Sequence, residues 1–144
     1  MELNTARIII ELLAFCAFVF FTQRKLLYFP YRSEARARAG FAPFQTADGE
    51  FLGYVREART PWFVVLFFHG NAGEAIDREW VGELVSEKIG TVVLAEYPGY
   101  GPKPGLPSER SIFEAAEKTF DEVKKRWDLP VVAVGESLGS GVAT

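Results

Sequence analysis

The chain has 144 residues, a formal net charge of -3, 49% hydrophobic and 15% aromatic content. That apolar content excludes a disordered polypeptide, and the mild acidity leaves no electrostatic footprint for nucleic acid. One cysteine and one histidine exclude a disulfide framework and a His/Cys metal centre, so neither metal nor cofactor is expected.

The length suits one domain with a core, and it is short for an open α/β enzyme, which often runs to roughly 200 residues or more. Charge is divided unevenly: residues 1–40 hold six basic and three acidic side chains, residues 41–144 ten basic and sixteen acidic. A basic start ahead of an acidic body points to a membrane surface at one end.

Residues 8–21 are apolar except for Glu11, and Arg24 and Lys25 stop the run. A helix there reaches the roughly 20 residues of a membrane span only with its flanks. No Ala-x-Ala cleavage site follows, which sets an uncleaved anchor over residues 1–23 ahead of a signal peptide or a buried soluble helix. Cys16, inside the run, reads as a lipid-facing or packed thiol. Arg24, Lys25, Arg32, Arg36 and Arg38 outnumber Arg7 on the other side, so a single-pass anchor would leave residues 24–144 at the cytoplasmic face.

Beyond residue 24 the pattern becomes α/β. Residues 44–46 and 51–55 flank Asp48-Gly49 and predict a hairpin. Residues 62–68 form a continuous apolar run, as a buried central strand requires. Ile76, Trp80 and Leu84 with Val81, Val85 and Ile89 predict a helix. Residues 91–95 give a second buried strand, and the prolines and glycines of 98–107 a loop. A capping box at Ser111 and Glu114 opens a helix whose core face is Ile112, Ala116, Phe120, Val123 and Trp127. Glu114–Lys118, Asp121–Lys125 and Glu122–Arg126 pairs are expected on its outer side. Residues 130–134 give a third buried strand.

That strand runs into Gly135-Glu136-Ser137-Leu138-Gly139. G-x-S-x-G on a strand-to-helix turn is a nucleophile elbow, with Ser137 as nucleophile. The turn is so sharp that its flanking positions, Gly135 and Gly139, tolerate only glycine. The N–H of Leu138, at the start of the next helix, becomes one oxyanion donor. His69-Gly70-Asn71 follows the first central strand, and its turn offers a second donor at the N–H of Asn71. The lone His69 is expected to order this loop rather than act as base, since the base should follow the serine. Glu96 and Glu136 are read as structural or solvated. The Glu96–Gly101 stretch is no phosphate loop, because it lacks the Gly-Lys-Ser/Thr ending and Pro102 and Pro104 remove donors.

His69-Gly-Asn-Ala-Gly, Tyr97-Pro-Gly-Tyr-Gly, Leu106-Pro-Ser-Glu and Gly135-Glu-Ser-Leu-Gly-Ser-Gly together resemble the membrane-anchored branch of the α/β-hydrolase family. That branch includes bud-emergence-type hydrolases and protein depalmitoylases. The resemblance covers residues 24–144. It implies a mostly parallel sheet with an N-terminal β-hairpin, and a serine hydrolase cleaving an ester, thioester or amide bond of a small molecule or acylated protein. It also implies Asn71 and Leu138 as oxyanion donors. Glu96 departs from the Asp often found at that position. Residues 138–144 hold no Asp, Glu or His, so the triad's acid and base are missing. Residues 24–144 therefore read as the N-terminal part of a hydrolase domain, inactive alone and with an apolar strand edge bared. The alternative is a non-catalytic, membrane-tethered interaction module keeping half the fold.

Overall fold

A computed structural model describes residues 2–144, so Met1 of the expected anchor lies outside the described residues. Helix α1 spans Glu2–Leu27, and the expected boundary at 23 falls inside it. Its residues Asn4–Leu27 are long and apolar enough to cross a membrane. Twenty-four residues rise about 36 Å, more than the roughly 30 Å of a bilayer core. Ile8, Ile10, Leu13, Phe15, Phe18 and Phe20 are each over 60% exposed, on all sides of the helix. Burying each is worth about 1.5–3 kcal/mol, which a bilayer supplies and water does not. Glu11 is paired with Arg7 at 2.9 Å near the helix start. Deleting residues 1–23 is expected to move the protein from the carbonate-resistant membrane pellet to the soluble fraction. Carbonate release of the intact chain would contradict an integral anchor.

After α1 come β1 (Phe29–Pro30), β2 (Ala42–Gln45), β3 (Phe51–Arg56), β4 (Phe63–Phe68), β5 (Ala72–Gly73), α2 (Trp80–Leu84), β6 (Gly90–Ala95), α3 (Glu109–Arg126), β7 (Val131–Gly135) and α4 (Leu138–Val142). The main sheet has the order β2-β3-β6-β4-β7. β2 and β3 form the expected hairpin, β3 runs antiparallel to β6, and β6, β4 and β7 are parallel. The chain moves from β4 to β6 in one direction and back past β4 to β7 in the other. Right-handed crossovers then put the two connecting helices on opposite faces. One core accordingly joins Leu66, Val93, Ala95 and Phe44 to Ile112, Ala116 and Val123 of α3. The other joins Val65, Phe67, Val92 and Tyr54 to Ile76 and Val81.

Four expectations need correction. The helix expected over 76–89 is a 3-10 turn, Ala75–Arg78, followed by the single turn of α2. Arg56 Nη2 takes the Val85 carbonyl at 2.6 Å, and Val85 is extended. Its side chain instead fills the space beside Gly90, where an added Cβ would lie 2.3 Å from Val85 Cγ1. α3 is capped by Ser108, whose side chain accepts from the Ser111 N–H, and the box partner is Ser111 rather than Glu114. The expected ion pairs give way to Arg110–Glu114, Lys118–Glu50 and Arg126–Glu57. Finally, β7 is no buried strand. Among the described residues it pairs only with β4, and Val132 is 49% exposed.

Lys103, in the loop before α3, is 4% exposed and its Nζ has no hydrogen-bond partner among the described residues. Burial pushes its pKa down from 10.5 to about 8, against the pull of Glu50 and Glu96. Between these values the folded chain sheds the proton while the unfolded chain keeps it, so stability rises with pH, by at most about 3 kcal/mol. Lys103→Met is expected to raise the Tm at pH 7 and to remove this rise between pH 8 and 10.5. Parallel melting curves for the two proteins check it.

Candidate active site

β4 lies between β6 and β7, so the crevice beyond its C-terminal end is where an open α/β sheet changes winding direction and binds ligands. Residues 69–71 leave β4 there, and the elbow leaves β7 beside them. Glu136 N–H donates to Phe68 O at 2.9 Å, tying the two ends together.

Ser137 has φ 50° and ψ -112°, a conformation that costs a non-glycine residue about 1–3 kcal/mol. Gly139 N–H donates to Glu136 O (2.8 Å) and Ser140 N–H to Ser137 O (2.9 Å), which holds the turn in this shape. A Cβ at Gly135 would lie 2.2 Å from Gly139 O, and one at Gly139 would lie 2.1 Å from Phe68 O. Both glycines therefore let α4 touch its own strand and the end of β4. Ser137 is exposed at the sheet rim and Leu138 opens α4.

The facing loop is fixed from below. His69 is fully buried, with Nδ1 2.7 Å from Gly70 O and Nε2 2.9 Å from Glu96 Oε1. Both ring nitrogens are thereby engaged, Nδ1 with the carbonyl and Nε2 with the carboxylate. Neither nitrogen is left to take a proton from Ser137. Glu96 also accepts from Tyr97 N–H (3.2 Å) and Ala75 N–H (3.0 Å). It is the hub of the loop, a role its sequence position did not signal. Tyr97 donates its hydroxyl to His69 O and Tyr100 donates its own to Asn71 O, each at 2.8 Å. Burial pushes the Tyr100 hydroxyl up to about 12 and that of Tyr97 higher still, so both stay neutral donors.

The Asn71 side chain does not face the serine. Its Nδ2 donates to Leu27 O (2.9 Å), and the Asn71 backbone carbonyl accepts from Phe29 N–H (3.0 Å). β1 pairs with β5 directly after it, so the end of α1 is stitched to the loop. The N–H groups of Asn71 and Leu138 donate no hydrogen bond among the described residues. Glu136 is turned away to Arg78, at 2.8 and 3.2 Å, and this holds its carboxyl below the usual range. The pair is part-exposed, so it contributes orientation more than stability. Its oxygens lie near Gly70, where a Cβ would come within 3.5 Å. Cys16 is free and exposed on α1. No group of three His, Cys, Asp or Glu suited to a metal occurs among the described residues.

No family model matches the chain. It is 36% identical to the lysophosphatidylserine lipase ABHD12 of Xenopus tropicalis over 105 residues, covering 70% of the chain and 27% of the lipase. The Gallus gallus lipase is 42% identical over 84 residues, 56% of the chain and 22% of its own length. An uncharacterised protein of Mycobacterium tuberculosis H37Rv is 31% identical over 141 residues, 88% of the chain and 49% of that protein. The crystal structure of TT1662 from Thermus thermophilus aligns with a TM-score of 0.56 at 22% identity, over 75% of the chain and 50% of that protein. The chain thus spans about a quarter of the curated lipases and half of the mycobacterial relative.

Proposed function

Because the chain belongs to the α/β-hydrolase family, we propose that it carries the nucleophile and oxyanion half of a membrane-anchored serine hydrolase acting on acyl esters of lipids. The observation that carries this reading is the backbone at Ser137, strained and held between two glycines that admit no Cβ. Ser137 Oγ attacks the acyl carbonyl as its proton passes to a histidine supplied from C-terminal to the serine, forming a tetrahedral oxyanion. The Leu138 and Asn71 N–H groups stabilise it, each worth roughly 3 kcal/mol in the transition state. That proton later goes to the leaving alcohol as the acyl C–O bond breaks, and water then releases the acid from the acyl-enzyme.

The base is not His69, whose ring is committed to Gly70 and Glu96. An acid and a histidine must come from C-terminal to Ser137, in the order this fold uses. The division into an anchor (1–23) and a hydrolase part (24–144), with the latter on the cytoplasmic side, belongs to the same reading. The exposed edge of β7 suits one rival, a tethered module without catalysis.

The two separate in a hybrid protein in which residues 1–144 are followed by the second half of the mycobacterial relative. The hybrid is expected to hydrolyse a monoacyl phospholipid ester, and Ser137→Ala to lower kcat at least about 10³-fold. Turnover that survives in the alanine variant would contradict the reading. Residues 1–144 alone are expected to show no Ser137-dependent turnover, since a serine without a base is a weak nucleophile.

A further inference from the structure

Two open depressions share Tyr28, the first residue after α1, as a wall. One, of about 210 Å³, lies between Arg24, Lys25, Tyr28, Pro30, Leu106 and Pro107. The other, of about 310 Å³, is walled by Tyr28, Ile112, Phe113, Leu138 and Val142, with Gly141 in its wall and Glu109 at its rim. The first begins at the last turn of the membrane helix, and the second ends on the residue next to Ser137. We propose that this groove holds the acyl chain of a monoacyl lipid drawn from the bilayer, with its carbonyl end at Ser137 and its tail toward α1. The proposal rests on Ser137 as nucleophile for its direction, not for the groove itself.

Three observations favour a bilayer lipid over other occupants. The groove continues the apolar surface of the anchor: Leu26 and Leu27 are 60% and 55% exposed, and Leu106 and Phe113, in its walls, 70% and 40%. Arg24 and Lys25 stand at its outer end, where cations meet lipid phosphate at the hydrocarbon boundary. No strand of the main sheet borders it, so it offers no ladder to an added peptide strand. The hydrogen bond from Asn71 to Leu27 and the β1–β5 pairing fix its outer end relative to the loop that faces Ser137. The carbonyl end therefore reaches Ser137 without the tail crossing water, which would cost about 0.8 kcal/mol per exposed methylene.

Gly141 provides a filling variant. A Cβ there meets nothing within 4 Å, and its φ is not positive. Gly141→Phe is thus expected to fold while occupying the groove, and Gly141→Ala to leave it open. The full chain is placed in phosphatidylcholine vesicles containing a lysophosphatidylcholine with a mid-chain diazirine, irradiated and mapped by peptide mass spectrometry. Adducts are expected on segments 106–113 and 138–142, competed by excess unmodified lysophosphatidylcholine. Gly141→Phe should reduce them at least about tenfold, equivalent to about 1.4 kcal/mol, while Gly141→Ala and Ser137→Ala keep them. Adducts confined to α1, adducts unchanged by Gly141→Phe, or a protein dimer cross-linked through the same segments would overturn the proposal. Adducts that persist when Ser137 fails to react in the hybrid would sink the nucleophile and leave the groove standing.

Discussion

Gly139→Ala is expected to destabilise the domain by at least about 3 kcal/mol and, in the hybrid protein, to cut reaction at Ser137 about 100-fold. The added methyl would sit 2.1 Å from Phe68 O and 2.8 Å from His69 O. Both are backbone atoms of a central strand end that cannot swing aside, so α4 must move off β4 by about an ångström. That shift carries the Leu138 N–H and Ser137 with it, and misplacement of this size separates catalytic groups that must act together. Gly141→Ala, two residues on, adds a methyl to open space and is expected to be neutral or to stabilise by a few tenths of a kcal/mol. Thermal melts of the two variants check the contrast. Equal Tm values would mean that the close approach of α4 to β4 is not as described.

Glu96→Ala is expected to lower the Tm by roughly 10 °C, from a loss of about 3–5 kcal/mol. The carboxylate is 1% exposed and binds His69 Nε2, Tyr97 N–H and Ala75 N–H. Its removal leaves one imidazole and two backbone donors buried without partners, each costing about 1–3 kcal/mol before relaxation. Glu96→Gln keeps the size and one acceptor, and is expected to lose less than half as much. Loss of order should concentrate in the loop after β4, seen as faster amide exchange at Ala75 and at Phe29, whose N–H donates to Asn71 O. A Glu96→Ala protein as stable as the original would show that the His69–Glu96 pair does not hold the loop.

The sheet was legible where sequence and sheet share a periodicity. Unbroken apolar runs mark β4 and β6, and Asp48-Gly49 marks the hairpin. The elbow was legible because its spacing is steric: glycines two residues either side of Ser137 are the positions where a Cβ meets backbone. α2 was misread because the apolar period through Ile89 is also satisfied by an extended Val85 packed on Phe63 and Gly90. The Arg56 bond to its carbonyl, 29 residues distant, decides between the two. The ion pairs of α3 were misread for the same reason, since Lys118 reaches Glu50 across the fold rather than Glu114 along the helix. The composition of β7 matches that of β4 and marked it as buried, whereas the bared apolar edge also expected of residues 24–144 is what pairing with β4 alone, among the described residues, leaves. Glu96 was legible as structural or solvated but not as the hub of the loop, because two of its partners, His69 and Ala75, lie 27 and 21 residues away.

The central claim is that Ser137 is a nucleophile flanked by oxyanion donors, and covalent capture tests it most directly. The hybrid protein is treated with a fluorophosphonate and its peptides are sequenced by mass spectrometry. A single phosphonyl adduct on Ser137, absent from Ser137→Ala and retained in Ser140→Ala, is the predicted result. An unmodified Ser137 in a folded hybrid, or an adduct on Ser140 or another serine, would contradict it.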